Sequence, residues 1–187
     1  MALLDIHPLT PDRWKDLEQL FGPNGANSGC WCMWWRVTSA EFSRESGRRL
    51  HDKLEAITAT GPPPGLLAYE GERPVGWISL GPRTDFGRLQ RSRKLAPVDD
   101  RPAWGVVCLY IGRHERGKGV ATALVEGAVE YARQNGVEVL EGYPIDTGTE
   151  RVQSASIFTG TIGMFARAGF AEAERREGRP IMRLELS

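Results

Sequence analysis

The chain has 187 residues, 24 Lys and Arg against 24 Asp and Glu, and 41% hydrophobic residues. That length suits one domain with a sizeable core, and the balanced charge excludes a disordered chain and a polyanion-binding surface overall, so a nucleic-acid role would need a local basic patch. Met1–Asp5 lacks the basic start and apolar run of a secretory signal, no segment approaches the ~20 apolar residues of a membrane span, and three cysteines suit a reducing compartment, so a cytoplasmic protein is expected.

A short strand is predicted at Leu3–Ile6, then a helix starting at Thr10-Pro11-Asp12 and carrying Trp14, Leu17, Leu20 and Phe21 on one side until Gly22-Pro23 stops it. Cys30-Trp31-Cys32-Met33-Trp34-Trp35-Arg36 follows a glycine-containing loop. The Cys30/Cys32 pair lacks a second Cys or His pair at ligand spacing, so no metal site is expected. Three indoles within five residues pack in a core or wall an acceptor pocket, where they would favour an apolar amine or stack on a cation. A second helix is predicted over Ala40–Thr58, ended by Gly61-Pro62-Pro63-Pro64-Gly65.

Beyond that break the pattern turns to strands. Leu66–Glu70 and Val75–Leu80, joined by Gly71-Glu72-Arg73-Pro74, read as an antiparallel hairpin. A basic run then carries Arg83, Arg88, Arg91, Arg93 and Lys94; such runs are usually solvated, and this one could also attract an acidic acceptor or an outer cofactor phosphate. Gly105–Ile111 is the most apolar strand and should lie mid-sheet. A helix with Val120, Leu124, Ala128 and Ala132 on one face runs to Asn135-Gly136, and Val137–Tyr143 follows as a parallel strand. A helix over Ala155–Ala168 and strands over Phe170–Arg175 and Pro180–Leu186 complete an α/β chain without internal repeats.

The chemistry centres on Arg116-Gly117-Lys118-Gly119-Val120-Ala121, between the central strand and the amphipathic helix. Glycines let backbone approach a ligand, and the first amides of a helix lack internal partners, so a diphosphate fits there. Gly112-x-x-x-x-Gly117-Lys118 matches much of a P-loop, but Gly119 stands where a magnesium-binding Ser or Thr belongs, which disfavours nucleotide hydrolysis. Arg116-x-x-Gly119-x-Ala121, together with Ala168-Gly169-Phe170 and the order of elements over residues 66–186, resembles the GNAT N-acetyltransferase superfamily. Cys30–Arg36 and Glu141-Gly142-Tyr143-Pro144 resemble segments of a bacterial subgroup of it.

The resemblance implies a single domain over 1–187, with a helical acceptor-side region at 1–60 and a mixed, mostly antiparallel sheet flanked by helices at 66–186. It implies acetyl-CoA as donor: Leu109 and Ile111 pair with the pantetheine arm, an amide near Tyr110 or Ile111 polarises the thioester, the amides of Gly117, Lys118, Gly119, Val120, Ala121 and Thr122 hold the diphosphate, and Arg116 and Lys118 add charge. Trp31, Trp34 and Trp35 fall in the acceptor region.

The chain departs from the family where the usual proton donor stands: Phe165 replaces a Tyr, and Phe158 an Asn. Tyr143 or Tyr110 would substitute as acid, and Glu141, on the same strand face as Tyr143, is the preferred base, with Asp146 and His114 as rivals. The expected activity is transfer of an acetyl group to a primary amine of a small molecule, with a peptide or protein N-terminus as one alternative and a non-catalytic acyl-CoA sensor as another. No nucleic-acid or membrane partner is expected, and a homodimer is left open.

Overall fold

The computed structural model describes residues 4–45, 47–146, 148 and 158–186. Seven strands form one mixed sheet in the order β1-β2-β3-β4-β5-β7-β6. They are β1 Asp5–Pro8, β2 Gly65–Glu70, β3 Arg73–Pro82, β4 Trp104–Ile111, β5 Val139–Gly142, β6 Ala171–Arg176 and β7 Arg179–Glu185. β4 takes the middle position because both its faces are apolar and both are covered. Only β4 and β5 run parallel, and the crossover between them is the helix α5, Val120–Gln134.

Helices cover both faces. α5 buries Val120, Leu124, Val125, Ala128, Val129 and Ala132 against one face, and α6 (Ile162–Arg167) adds Phe165 to the same cluster. The other face carries α1 (Trp14–Phe21) and α3 (Gly47–Thr60), whose Leu17, Phe21, Leu50 and Leu54 pack with Trp77 and Tyr69 of the sheet. Two short helices, α2 (Ser39–Arg44) and α4 (Gly87–Arg91), flank this second layer. No helix among the described residues is long and apolar enough to cross a membrane.

Several sequence expectations shift. The single helix expected over Ala40–Thr58 is two, because Glu45 is extended and Gly47 begins α3 in backbone contact with Gly29. A Cβ on Gly47 would lie 3.3 Å from Gly29 Cα, so this crossing needs both glycines. Cys30–Arg36 is a series of turns, with Trp31 and Cys32 at φ 43° and 52°. The last helix starts at Ile162, capped by the extended Thr161, whose hydroxyl accepts from the Met164 amide at 3.4 Å; Phe158–Gly160 precede it outside helix, and Ala155–Ile157 lie outside the described residues. β1 begins at Asp5, and Leu3 likewise lies outside the described residues.

α1 and α3 are joined through His51, whose ring bonds the Glu18 and Asp52 carboxylates at 2.8 Å each and meets Trp31 edge-on at 4.6 Å. Burial pushes the ring's pKa down, but the two carboxylates outweigh it and leave the value above that of a free histidine. The hydrogen bond to His51 leads the causes that lower Asp52. The raised histidine stabilises the fold fully below the unfolded value of ~6.5, and this contribution is lost as pH rises through its folded value. The melting-temperature gap between the chain and His51→Gln is therefore expected to be widest at about pH 5–6 and to shrink toward pH 9. A gap independent of pH would mean that ring packing alone matters.

Candidate functional site

The cleft is made where two parallel strands part. β4 and β5 pair only at Trp104↔Leu140, Gly105↔Glu141 and Val106↔Gly142, after which the chain leaves β5 through Tyr143-Pro144. The Leu109 amide points away from β3 and donates to the Phe158 carbonyl at 2.6 Å, whereas the Gly112 amide turns back to Val75 O at 2.9 Å. Alternation along the strand therefore turns the Ile111 amide toward the open side, as Leu109's is. Of the two residues expected to pair with a pantetheine arm, Leu109 has its amide already engaged and Ile111 offers the freer one.

At the end of β4 the chain makes a single helical turn, Arg113–Glu115, and enters the glycine loop. Gly117 and Gly119 sit at φ 78° and 85°, a left-handed conformation that costs any other L-residue about 1–2 kcal/mol. Gly119 caps α5 without a side-chain acceptor, so the next amides, Val120, Ala121 and Thr122, face outward at the positive end of the helix. Nothing lies within 4 Å of where a Cβ on Gly117 would stand, so the approach is open. The cavity here, about 440 Å³, is lined by β4 from Leu109 to Ile111, the glycine loop, and Met164 and Arg167 of α6. Uncapped amides on an open glycine cradle fit a diphosphate.

The charges at this end come partly from residues that sequence reasoning missed. Glu115, buried, binds Lys118 Nζ at 3.0 Å and Arg73 Nη1 at 2.7 Å, and Arg73 followed by Lys118 holds its carboxyl below the usual range. Lys118 is thus tied into a local network, while Arg116 reaches back to the Ile111 carbonyl at 3.4 Å. Arg167, exposed on α6, adds a cation to the cleft. Its place in the sequence, four residues after Gly163 and 48 after Gly119, gave no signal because only folding brings α6 to the loop.

The proposed acid and base lie elsewhere. Glu141 is 2% exposed and Tyr143 0%. Arg83 Nη1 donates to Tyr143 Oη at 2.7 Å and to Glu141 Oε2 at 3.1 Å, while Tyr143 Oη donates to Glu141 Oε2 at 2.8 Å. A further Arg83 donor reaches the Leu95 carbonyl. Burial, then the neighbouring Glu141, pushes the Tyr143 phenol well up, so it keeps its proton. Neither side chain lines the cofactor cleft or the cavities beside it. Of the rivals, Asp146 is paired to Arg175 at 2.6 Å and His114 is exposed and does not line the cleft. Tyr110 does line it, half-buried and edge-on to Phe21 at 5.2 Å.

The three indoles also separate. Trp31 is core, stacked with Trp14 at 6.2 Å and tilted on Phe21 at 5.4 Å. Trp34 and Trp35 wall an apolar cavity of about 220 Å³ with Phe42, Cys108 and Phe158. Asn27 lines both this cavity and the cofactor cleft. Cys32 Sγ lies 3.1 Å from Cys108 Sγ and receives the Trp77 indole N–H at 3.1 Å; the bond to Cys108, then burial, raises its pKa well above an ordinary thiol's. It therefore stays protonated and suits neither a metal nor nucleophilic catalysis. The tightest cluster of ligand types among the described residues, His51, Asp52 and Glu55, already has both His51 nitrogens engaged.

The model of the acetyltransferase (GNAT) family matches residues 30–170. No curated protein sequence matches the chain. Among solved structures, the PaiA N-acetyltransferase of Thermoplasma acidophilum, in complex with coenzyme A, is similar with TM-score 0.52 at 12% identity, over 98% of this chain and 99% of that one. A GNAT family acetyltransferase of Brucella melitensis in complex with acetyl-CoA gives 0.52 at 15%, over 100% and 90%. The ribosomal-protein-alanine N-acetyltransferase of the same organism gives 0.55 at 22%, over 97% and 99%. The matched span runs from the cysteine-tryptophan turns through the open strand and the glycine loop to the last helix, and with it this chain belongs to the GNAT acetyltransferase family.

Proposed function

We propose that the chain, as one domain, transfers the acetyl group of acetyl-CoA to a primary amine of a small molecule by direct attack. The observation that carries this reading is the continuity of an uncapped helix N-terminus, an open strand edge and a small apolar cavity, meeting at Asn27. Acetyl-CoA supplies an activated thioester. The amides of Val120 to Thr122 would hold its diphosphate, Arg116 and Arg167 would add charge, and the Ile111 amide would support the carbonyl oxygen as charge builds on it. The apolar cavity, about 220 Å³, suits a side chain or ring better than a folded protein terminus.

The acceptor enters as its neutral amine. A nitrogen–carbon bond forms to the acetyl carbon, the carbon–sulfur bond breaks, one proton leaves the nitrogen for water, and the thiolate gains one. Glu141 is assigned to the buried ion pair and not to proton transfer, because a carboxylate held by Arg83 and Tyr143 away from the cleft cannot reach an amine there. Tyr110, the phenol that lines the cleft, is assigned as the proton donor to the thiolate.

Two substitutions separate these roles. Tyr110→Phe is expected to lower kcat on the order of 10²-fold with KM for acetyl-CoA unchanged, in a CoA-release assay over a panel of small amines and peptides. Glu141→Gln, which strands the buried Arg83 charge, is expected to cost about 3 kcal/mol of stability by denaturant titration while the folded fraction keeps its pH–rate profile. Loss of the profile's acidic limb in Glu141→Gln would restore Glu141 as base. Gly119→Ala is expected to raise KM for acetyl-CoA severalfold through the strain of its left-handed backbone, with acceptor choice intact; an unchanged KM would move the diphosphate away from this loop. Saturable acetyl-CoA binding with no turnover on any amine would favour the sensor reading.

A further inference from the structure

The apolar cavity beside the cleft opens at its far side into a second one of about 470 Å³, with which it shares Trp34, Trp35 and Phe158. The wall of this second cavity is basic, carrying Arg88, Arg91, Lys94 and Arg179. Lys94 is paired with Glu177 at 2.9 Å, but the three arginines have no carboxylate within 4 Å among the described residues. Arg88 lies over the Trp34 ring at 3.6 Å, donates to Ser39 Oγ at 2.8 Å and to the Trp34 carbonyl, and is half-buried. Its Nη2 is shielded from solvent and has no acceptor. Arg179 donates to the Tyr143 carbonyl at 2.8 Å, and its Nε is likewise shielded and without an acceptor.

A buried donor without a partner carries its full desolvation cost, and on a guanidinium that cost is large. Atoms closed to water are closed to a ligand oxygen as well, so a carboxylate in the cavity would instead meet the unpaired guanidinium charges of the wall through the donors that remain open, whose planar fork matches two carboxylate oxygens. The phosphates of CoA do not supply the anion, since none of these arginines lines the cleft that holds the glycine loop.

Resting on the acetyl-transfer reading, we propose that the acceptor is an amino acid-like molecule: a primary amine on an apolar body that also bears a carboxylate. Its amine faces β4 and the cleft, its body lies between Trp34, Trp35, Phe42 and Phe158, and its carboxylate meets Arg88 and Arg91 with Arg179 behind them. Trp34 then serves twice, as apolar wall and as the platform that holds the Arg88 guanidinium in plane.

The test uses CoA release at saturating acetyl-CoA with matched acceptors whose body separates the two groups: 4-(aminomethyl)benzoate, 4-(aminomethyl)benzamide and benzylamine, and 6-aminohexanoate, its amide and pentylamine. The acid is expected to exceed its amide and its decarboxylated amine in kcat/KM by about tenfold or more. Arg88→Gln is expected to erase that preference by raising KM for the acid, with KM for acetyl-CoA unchanged, and the exposed Arg91→Gln to reduce it. Equal rates for acid and amide, or a preference that survives both substitutions, overturns the proposal.

If no amine is turned over, the acetyl-transfer reading has failed, and the anion site is read separately by calorimetry. N-acetyl-4-(aminomethyl)benzoate and its amide are titrated into the CoA-saturated protein. Binding of the acid alone, lost in Arg88→Gln, upholds the site, and equal binding or none overturns it.

Discussion

A single buried guanidinium ties together the strands that must separate for this protein to have a cleft. Arg83 sits in the turn that follows β3 and reaches Glu141 in β5 and Tyr143 just beyond it. Taking these charges out of water is costly, and the pair holds through both Nη atoms of Arg83, which reach Glu141, Tyr143 and the Leu95 carbonyl, while its buried Nε has no partner. The Tyr143 ring also closes over Gly105, where a Cβ would stand 3.1 Å from it. Below this point β4 and β5 are paired, and above it they diverge. The open backbone of β4, the helix N-terminus at its end and the apolar cavity beside it all depend on that division being fixed.

A second constraint acts on β4 from its other neighbour. The register with β3 slips between Ser79 and Leu80, which pair with Cys108 and Val106 and leave Val107 as an extra residue. The bulge puts Val107 and Cys108 in the same core cluster, with the N-terminal helices, while Val106 and Leu109 join the cluster under α5. From there on Cys108 and Tyr110 face the acceptor layer, and Leu109 and Ile111 face α5. Without the bulge the parity would be reversed along half the strand, and the apolar cavity would lose Cys108 from its wall. Separation from β5 frees the backbone of β4, and the bulge against β3 decides which side chains line the apolar cavity.

Local chemistry made much of this legible in the sequence, and long-range contacts made the rest opaque. β4 was readable because burial on both faces demands an unbroken apolar run, and the loop from Arg116 to Thr122 because glycines followed by an amphipathic helix serve few purposes. Alternation also brought Glu141 and Tyr143 together correctly, since their oxygens are 2.8 Å apart. What alternation cannot carry is depth: their burial depends on Arg83, 58 residues earlier than Glu141, which the sequence offered only as one more member of a basic run. That run is three different things in space, with Arg83 inside the fold, Arg88 and Arg91 at a cavity wall, and Lys94 paired at the surface. The break between α2 and α3 was hidden for the same reason, because a lone glycine at position 47 is tolerated within many helices and its effect here follows from its meeting Gly29.

The tryptophans show how far residue type alone can mislead about role. Trp31 takes a left-handed backbone conformation, which a bulky residue adopts only when its surroundings over-determine it, and here Trp14, Phe21 and His51 enclose the indole. Three positions later Trp34 is 39% exposed, an arrangement that forfeits much of what burying an indole gains. Its exposure is nonetheless ordered, since Phe42 meets the ring edge-on at 5.0 Å and Arg88 covers a face at 3.6 Å. An indole clamped in this way without being buried is held for the surface it presents. Trp31 fixes the turns that carry Cys32 and Trp35 into the core, and those turns in turn set Trp34 against the cavity, so one tryptophan builds the wall and the other faces the space it encloses.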